Sequence, residues 1–263
     1  MAAADPIHQF QITKLIDFGQ VNLPLIGRTD LAFTNSHLAM TIAFLAIVGF
    51  LTLVTSNMKV VPGRTQAVGE QLFSMIDDLS DGIIGHEGRK LFPFVFTLFS
   101  FILAMNILGL LLTFTVTSQL AITATFAVLT IGLVLIIGFA RNGLGFFKLF
   151  VPSGVPWYAI WLVVPIEFVS FLLRPFTLAL RLFGNMLGGH VALKVFAGFV
   201  VALLGLTATG GLGWLGAPGA VLPLAMVVAL TALECLVAFL QAFVFAVLTC
   251  IYLNDVVNLG HGH

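Results

Sequence analysis

Hydrophobic and polar positions divide the chain into long apolar runs separated by short polar ones. A hydrocarbon core about 30 Å thick takes about 20 apolar residues of helix to cross. Three uncharged runs meet that length: Leu38–Ser56, which ends before Lys59 and Arg64; Leu91–Thr115, which follows Arg89 and Lys90; and Leu120–Ala140, which ends at Arg141. Only Val116–Gln119 separates the second from the third, so these two predict a tight helical hairpin. Between the first two runs, Gln66–Lys90 carries Glu70, Asp77, Asp78, Asp81 and Glu87, too many charges for a span. Its apolar positions Val68, Leu72, Ile76, Leu79 and Ile83 recur at helical spacing in one stripe. That is the pattern of an amphipathic helix lying on a membrane surface.

From Leu149 to Asn254 the charges are few and isolated. A Gly-rich segment, Thr207–Pro218, marks a turn and divides this half into a helix over 157–206 and another over 219–254. At 1.5 Å per residue the first would be about 75 Å long, more than twice a perpendicular span. It must be tilted, bent or broken, with Pro165 and Pro175 as the bend points. The pattern therefore predicts an all-α polytopic membrane protein: five transmembrane helices, one surface helix, and a long tilted C-terminal hairpin, in a single membrane domain over 1–263. If the five spans alternate, Lys59, Arg64, Arg89, Lys90, Arg141 and Lys148 fall on one side, against Lys14 and Arg28 on the other. The excess of basic loop residues predicts a cytoplasmic location for the first side, with the N-terminal segment 1–37 outside. That segment has no apolar stretch long enough for a signal-peptide core and reads as part of the mature protein.

Composition agrees: 60% of the 263 residues are hydrophobic, 8% are charged and the mean hydropathy is +1.13. A soluble domain has about 25% charged residues. Eleven basic residues balance eleven acidic ones, with no basic tract, which excludes a nucleic-acid reader. Cys235 and Cys250 lie in one apolar run, about 22 Å apart along a helix, and cannot bond to each other. Gly211–Gly216 fits a GxGxxG pattern, but no βαβ unit surrounds it and it reads as a plain loop. His261 and His263 form a C-terminal HGH, too few ligands for a metal site. No HExxH, GxSxG or P-loop supports a membrane protease or a nucleotide-binding enzyme, and no cofactor is called for.

An ionisable residue inside a bilayer is costly and marks a pathway or a partner. Glu167, Arg174 and Arg181 are seven residues apart and share a helical stripe. Gly184 and Gly188 follow within about 60° of Arg181 on a helical wheel, so another helix could approach closely there, or the glycines could pack within the chain's own bundle. His190 faces away from that stripe, with Lys194 one turn on, while Glu234 and Gln241 share a face of the last helix. In an antiparallel hairpin, the alignment that sets His190 level with Glu234 also sets Arg181 level with Gln241. Arginine keeps its proton, so Arg181 can act only as a fixed charge. His190 and Glu234 can titrate and pass a proton, or form a structural ion pair.

Leu180-Arg181-Leu182-Phe183-Gly184-Asn185-Met186 with Gly189-His190, and then Leu240-Gln241-Ala242-Phe243, resembles subunit a of F-type ATP synthases over most of the chain. The resemblance implies a non-catalytic stator subunit beside a rotating c-subunit ring, with the peripheral-stalk b subunits and the rest of the complex as further partners. Arg181 matches the family's essential arginine, which faces the ring carboxylates and blocks leakage between two offset half-channels. Gln241 matches its neighbour. His190 and Glu234 match the paired polar sites of the outer half-channel, in exchanged order relative to some bacterial members, and Asn185 matches another residue of that route. Glu167 matches an acidic residue of the inner half-channel, and Arg174 a structural or ring-facing position. The implied location is the bacterial inner membrane, with the mitochondrial inner membrane as the alternative. The competing function is a proton-coupled secondary transporter, although the internal repeat common in that class is not apparent. A structural scaffold with buried ion pairs is the third reading.

Overall fold

A backbone removed from water must satisfy its own N–H and C=O groups, so apolar runs of membrane length fold as helices. The computed structural model describes residues 13–23, 27–56, 58–111, 116–151, 157–207 and 216–259. Its helices are α1 (Asn35–Ser56), α2 (Arg64–Ile84), α3 (Gly88–Leu111), α4 (Leu120–Asn142), α5 (Ile160–Leu206) and α6 (Gly216–Val257). All but α2 are long and apolar enough to cross a membrane. The chain is a polytopic α-helical membrane protein.

Several bounds differ from those predicted. The surface helix ends at Ile84 rather than reaching 90, because Gly85 takes a positive φ of 77° and caps it, its N–H donating to the Asp81 carbonyl. A 3₁₀ turn, Gly85–Glu87, then leads into α3, three residues earlier than the apolar run suggested. Helix α5 is unbroken across Pro165 and Pro175. Helix α6 continues through Val257, so Asp255 belongs to it. The helical hairpin's second arm runs to Asn142 and passes into a 3₁₀ segment, Gly143–Phe150. Most of the glycine-rich turn, including the GxGxxG loop up to Leu215, and the HGH tail lie outside the described residues.

One feature of the N-terminal segment was not predicted, an antiparallel pair of strands, β1 (Lys14–Leu23) and β2 (Gly27–Thr34). Its register shifts between Asp17 and Gln20, where Gly19 has a φ of 92° and donates its N–H to Asp17 Oδ1 at 3.0 Å. Asn35 joins the hairpin to α1: its side-chain oxygen accepts the Ser36 N–H at 3.0 Å and the Thr13 N–H at 3.3 Å.

The chain divides into two compact units. One comprises 1–43, 105–119 and 183–240; the other comprises 44–104, 120–182 and 241–263. In the first, Ser36 Oγ donates to Gln119 Oε1 at 3.0 Å and Asn106 Nδ2 donates to the Ala238 carbonyl at 3.1 Å. The second holds the main core, in which Ile76 of α2, Phe99 and Ile102 of α3, Val134 of α4, Leu178 of α5 and Phe245 of α6 are almost fully buried. Helix α2 docks on this core through Ile76 and Ile84, with Leu72, Leu79 and Ile83 of the stripe read from the sequence packed against it, whereas Val68 of that stripe is exposed; Gly69 lets the helix approach Val54 of α1. In the same unit Glu87 bonds with Arg141, joining the start of α3 to the end of α4.

Candidate functional site

Within the second unit, α5 and α6 bring together charges that lie 81 positions apart in sequence. The Arg174 guanidinium stands 3.4 Å from Glu167 Oε1 through Nη2 and 3.5 Å from Asp255 Oδ2 through Nη1. Its Cζ is 5.7 Å from the centre of the Tyr252 ring, within cation–π range. The planar fork of arginine makes this possible, since its two terminal nitrogens can serve two acceptors at once. All three charged side chains are about one-third exposed. Glu167 was expected in the site; Asp255 was not, because it lies one residue beyond the end predicted for the last helix. Its sequence signal was only the polar step after Tyr252, on the same face one turn on.

Arg181 is also in this unit but has a different environment. It is exposed and forms no salt bridge among the described residues. In the stretch of α5 that leads up to it, Leu172, Leu173, Phe176 and Leu180 are large apolar side chains that are likewise exposed. A permanent charge without an ion-pair partner among the described residues therefore lies exposed on a helix whose exposed large side chains are mostly apolar. Gln241, by contrast, is buried.

The first unit contains the titratable pair. His190 and Glu234 are both buried. Glu234 packs on α5 at Gly189: a Cβ built at that glycine would lie 2.9 Å from the Glu234 Cδ and 3.0 Å from its Cγ, and nearer still to Oε1. The absence of a side chain at 189 is what admits the carboxylate, one residue from His190. Neither Glu234 oxygen has a hydrogen-bond partner among the described residues, so Glu234 and His190 share a level without a direct hydrogen bond. A turn along α6, the Ala238 carbonyl receives Asn106 of α3, whose own Oδ1 is buried without a partner among the described residues. Asn106 gave no sequence signal, being a single amide in an apolar run. Asn185 is exposed and Lys194 half-buried. Among the described residues, nothing lies within 4 Å of where a Cβ would sit at Gly184 or Gly188, so neither glycine serves a close approach within that part of the chain. No group of three or more metal-ligating side chains occurs among the described residues.

A family model described as ATP synthase A chain matches residues 37–254, which include Glu167, Arg181, Asn185, His190, Glu234 and Gln241. The chain belongs to the ATP synthase A chain family. The ATP synthase subunit a of Chelativorans sp. (strain BNC1) is 54% identical over 260 residues, spanning 98% of this chain and 100% of the relative. Those of Rhodopseudomonas palustris (strain HaA2) and Allorhizobium ampelinum are 54% and 52% identical over 260 residues each, again spanning 98% of this chain and 100% and 99% of the relatives. Membership of the ATP synthase A chain family disfavours the secondary-transporter reading.

Proposed function

We propose that this chain is the proton-conducting stator subunit of a rotary ATP synthase, working against a ring of c subunits. The reading rests on Arg181. A charge that cannot be discharged, lying exposed on a membrane-length helix that also exposes Leu172, Leu173, Phe176 and Leu180, is costly in lipid unless another chain supplies a counter-charge. A ring of carboxylates passing the helix would supply one repeatedly. Arg181 then favours ionisation of each carboxylate that reaches it and repels a direct proton path, with Gln241 beside it. Asn185, His190 and Glu234 form the outer access route, and Glu167, joined by Arg174 and Asp255, the inner one.

In this role the chain is non-catalytic, and ATP chemistry belongs to other subunits of the complex. The c ring is its moving partner and the peripheral-stalk b subunits hold it still. The bacterial relatives support a bacterial inner membrane over a mitochondrial one, with the basic loops on the cytoplasmic side.

The outer route is tested by exchanging its pair. In assembled complexes in membrane vesicles, His190→Glu and Glu234→His should each lower ATP-driven proton pumping about tenfold or more, the scale of a lost proton-transfer group. The double exchange should recover several-fold over either single change. A double variant no better than the worse single one would contradict a shared route through the two positions.

A further inference from the structure

The Asp255 carboxylate reaches Arg174 only if the last turn of α6 is held still, and that turn lies where a helix is weakest. The final carbonyls of a helix have no acceptor role left within it, and helix ends fray unless something else binds them. Here the binding group comes from another element. Asn142, the last residue of α4, donates its side-chain Nδ2–H to the Val256 carbonyl at 2.8 Å, across 114 positions of sequence.

The same turn is fixed at a second point on α4. One helical turn before Asn142, Gly138 faces Val256: a Cβ built there would lie 3.0 Å from Val256 Cγ1 and closer to the Phe146 ring. Val256 is fully buried. So the residue after Asp255 has its side chain seated over Gly138 and its carbonyl held by Asn142. On the far side, Asn258 donates to the Ile84 carbonyl at the end of α2, at 3.3 Å. The Asp255 carboxylate points toward α5, where it meets Arg174, itself paired with Glu167, with Tyr252 from its own helix beside them.

We propose that Asn142 is a positioning residue for Asp255: by capping the end of α6 it sets the Asp255 carboxylate within reach of Arg174 and so governs proton exchange on the inner side. This rests on the stator reading given above. Asn142 touches no proton itself. Its contribution is to suppress the frayed states in which Asp255 swings away from Arg174.

The test uses the assembled complex in vesicles, with ATP-driven proton pumping followed as the pH on the side facing the nucleotide is varied. Asn142→Leu keeps the branched shape of the side chain and removes the donor. It should lower pumping about fivefold, the population weight of one lost hydrogen bond, and displace the pH profile. In an Asp255→Asn background the same change should have no further effect, because both act on one carboxylate. Asn142→Ala, which adds no bulk, replaces the leucine variant if assembly fails. A wild-type profile in the assembled Asn142 variant overturns the inference, as does the same fold loss with and without Asp255 or full pumping by Asp255→Asn alone. Arg181→Ala run in parallel separates the two levels: if it pumps normally the stator reading itself has failed, and if it is inactive while Asn142→Leu is normal, only the positioning role has.

Discussion

A single methyl at position 189 would collide with the carboxylate of Glu234, whose carbon atoms stand about 3 Å from the site a Cβ would occupy. Gly189→Ala should therefore displace Glu234 and lower pumping about tenfold in assembled complexes, as loss of a proton-transfer group does, and an unchanged rate would place Glu234 off the proton path. At this scale the sequence was informative wherever a charge interrupted an apolar run. Arg181, Glu234 and His190 could be found that way, because burying such groups without purpose is costly. Partnerships between distant positions could not. Nothing in spacing or periodicity ties Arg174 to Asp255 or Asn142 to Val256, and Gly189 reads as one glycine among 26 until the acid packed on it is seen. The matched level of His190 and Glu234 could be read because a two-helix hairpin has few registers, whereas their missing hydrogen bond depends on side-chain rotamers.

Elements of membrane length were legible because the bilayer sets one length and apolar residues reveal it. Their ends were less so. Helix α2 stops at Gly85 for a conformational reason that hydropathy does not carry, and α6 continues past its apolar run because Asn142 and the packing of Val256 hold its last turn. The β-hairpin escaped notice since its apolar alternation, clearest at Ile16, Phe18, Val21 and Leu23, has a period of two and is interrupted at Gly19. An ion pair also links two element ends. Arg141 first, and Lys90 second, hold the Glu87 carboxyl below its ordinary value. A depressed carboxylate contributes stability at neutral pH that is lost as pH falls through its folded-state value. All three side chains are well exposed, so the effect is small. Glu87→Gln should lower the thermal midpoint of the purified complex slightly at pH 7 and leave it unchanged at a pH where the native glutamate is already protonated; an equal drop at both would make the contact one of packing.

For the whole molecule, the proposed stator supplies a fixed charge and two sets of polar side chains, and the moving carriers belong to its partner. Moving one charge through 100 mV is worth about 2.3 kcal/mol, so driving ATP synthesis requires several protons to be combined, which a ring of carriers can do and a single static channel cannot. Exposed apolar residues of α5 such as Leu172, Leu173, Phe176 and Leu180 suit an outside partner, and residues of this kind made the membrane legible in sequence while hiding what covers them. The central claim is that Arg181 faces that ring as a fixed positive charge. Its most direct test is ATP-driven proton pumping by vesicles carrying Arg181→Ala, with assembly of the complex verified. The account predicts that pumping is abolished in a fully assembled complex. Wild-type pumping by that variant would contradict it and leave the buried charges with structural roles alone.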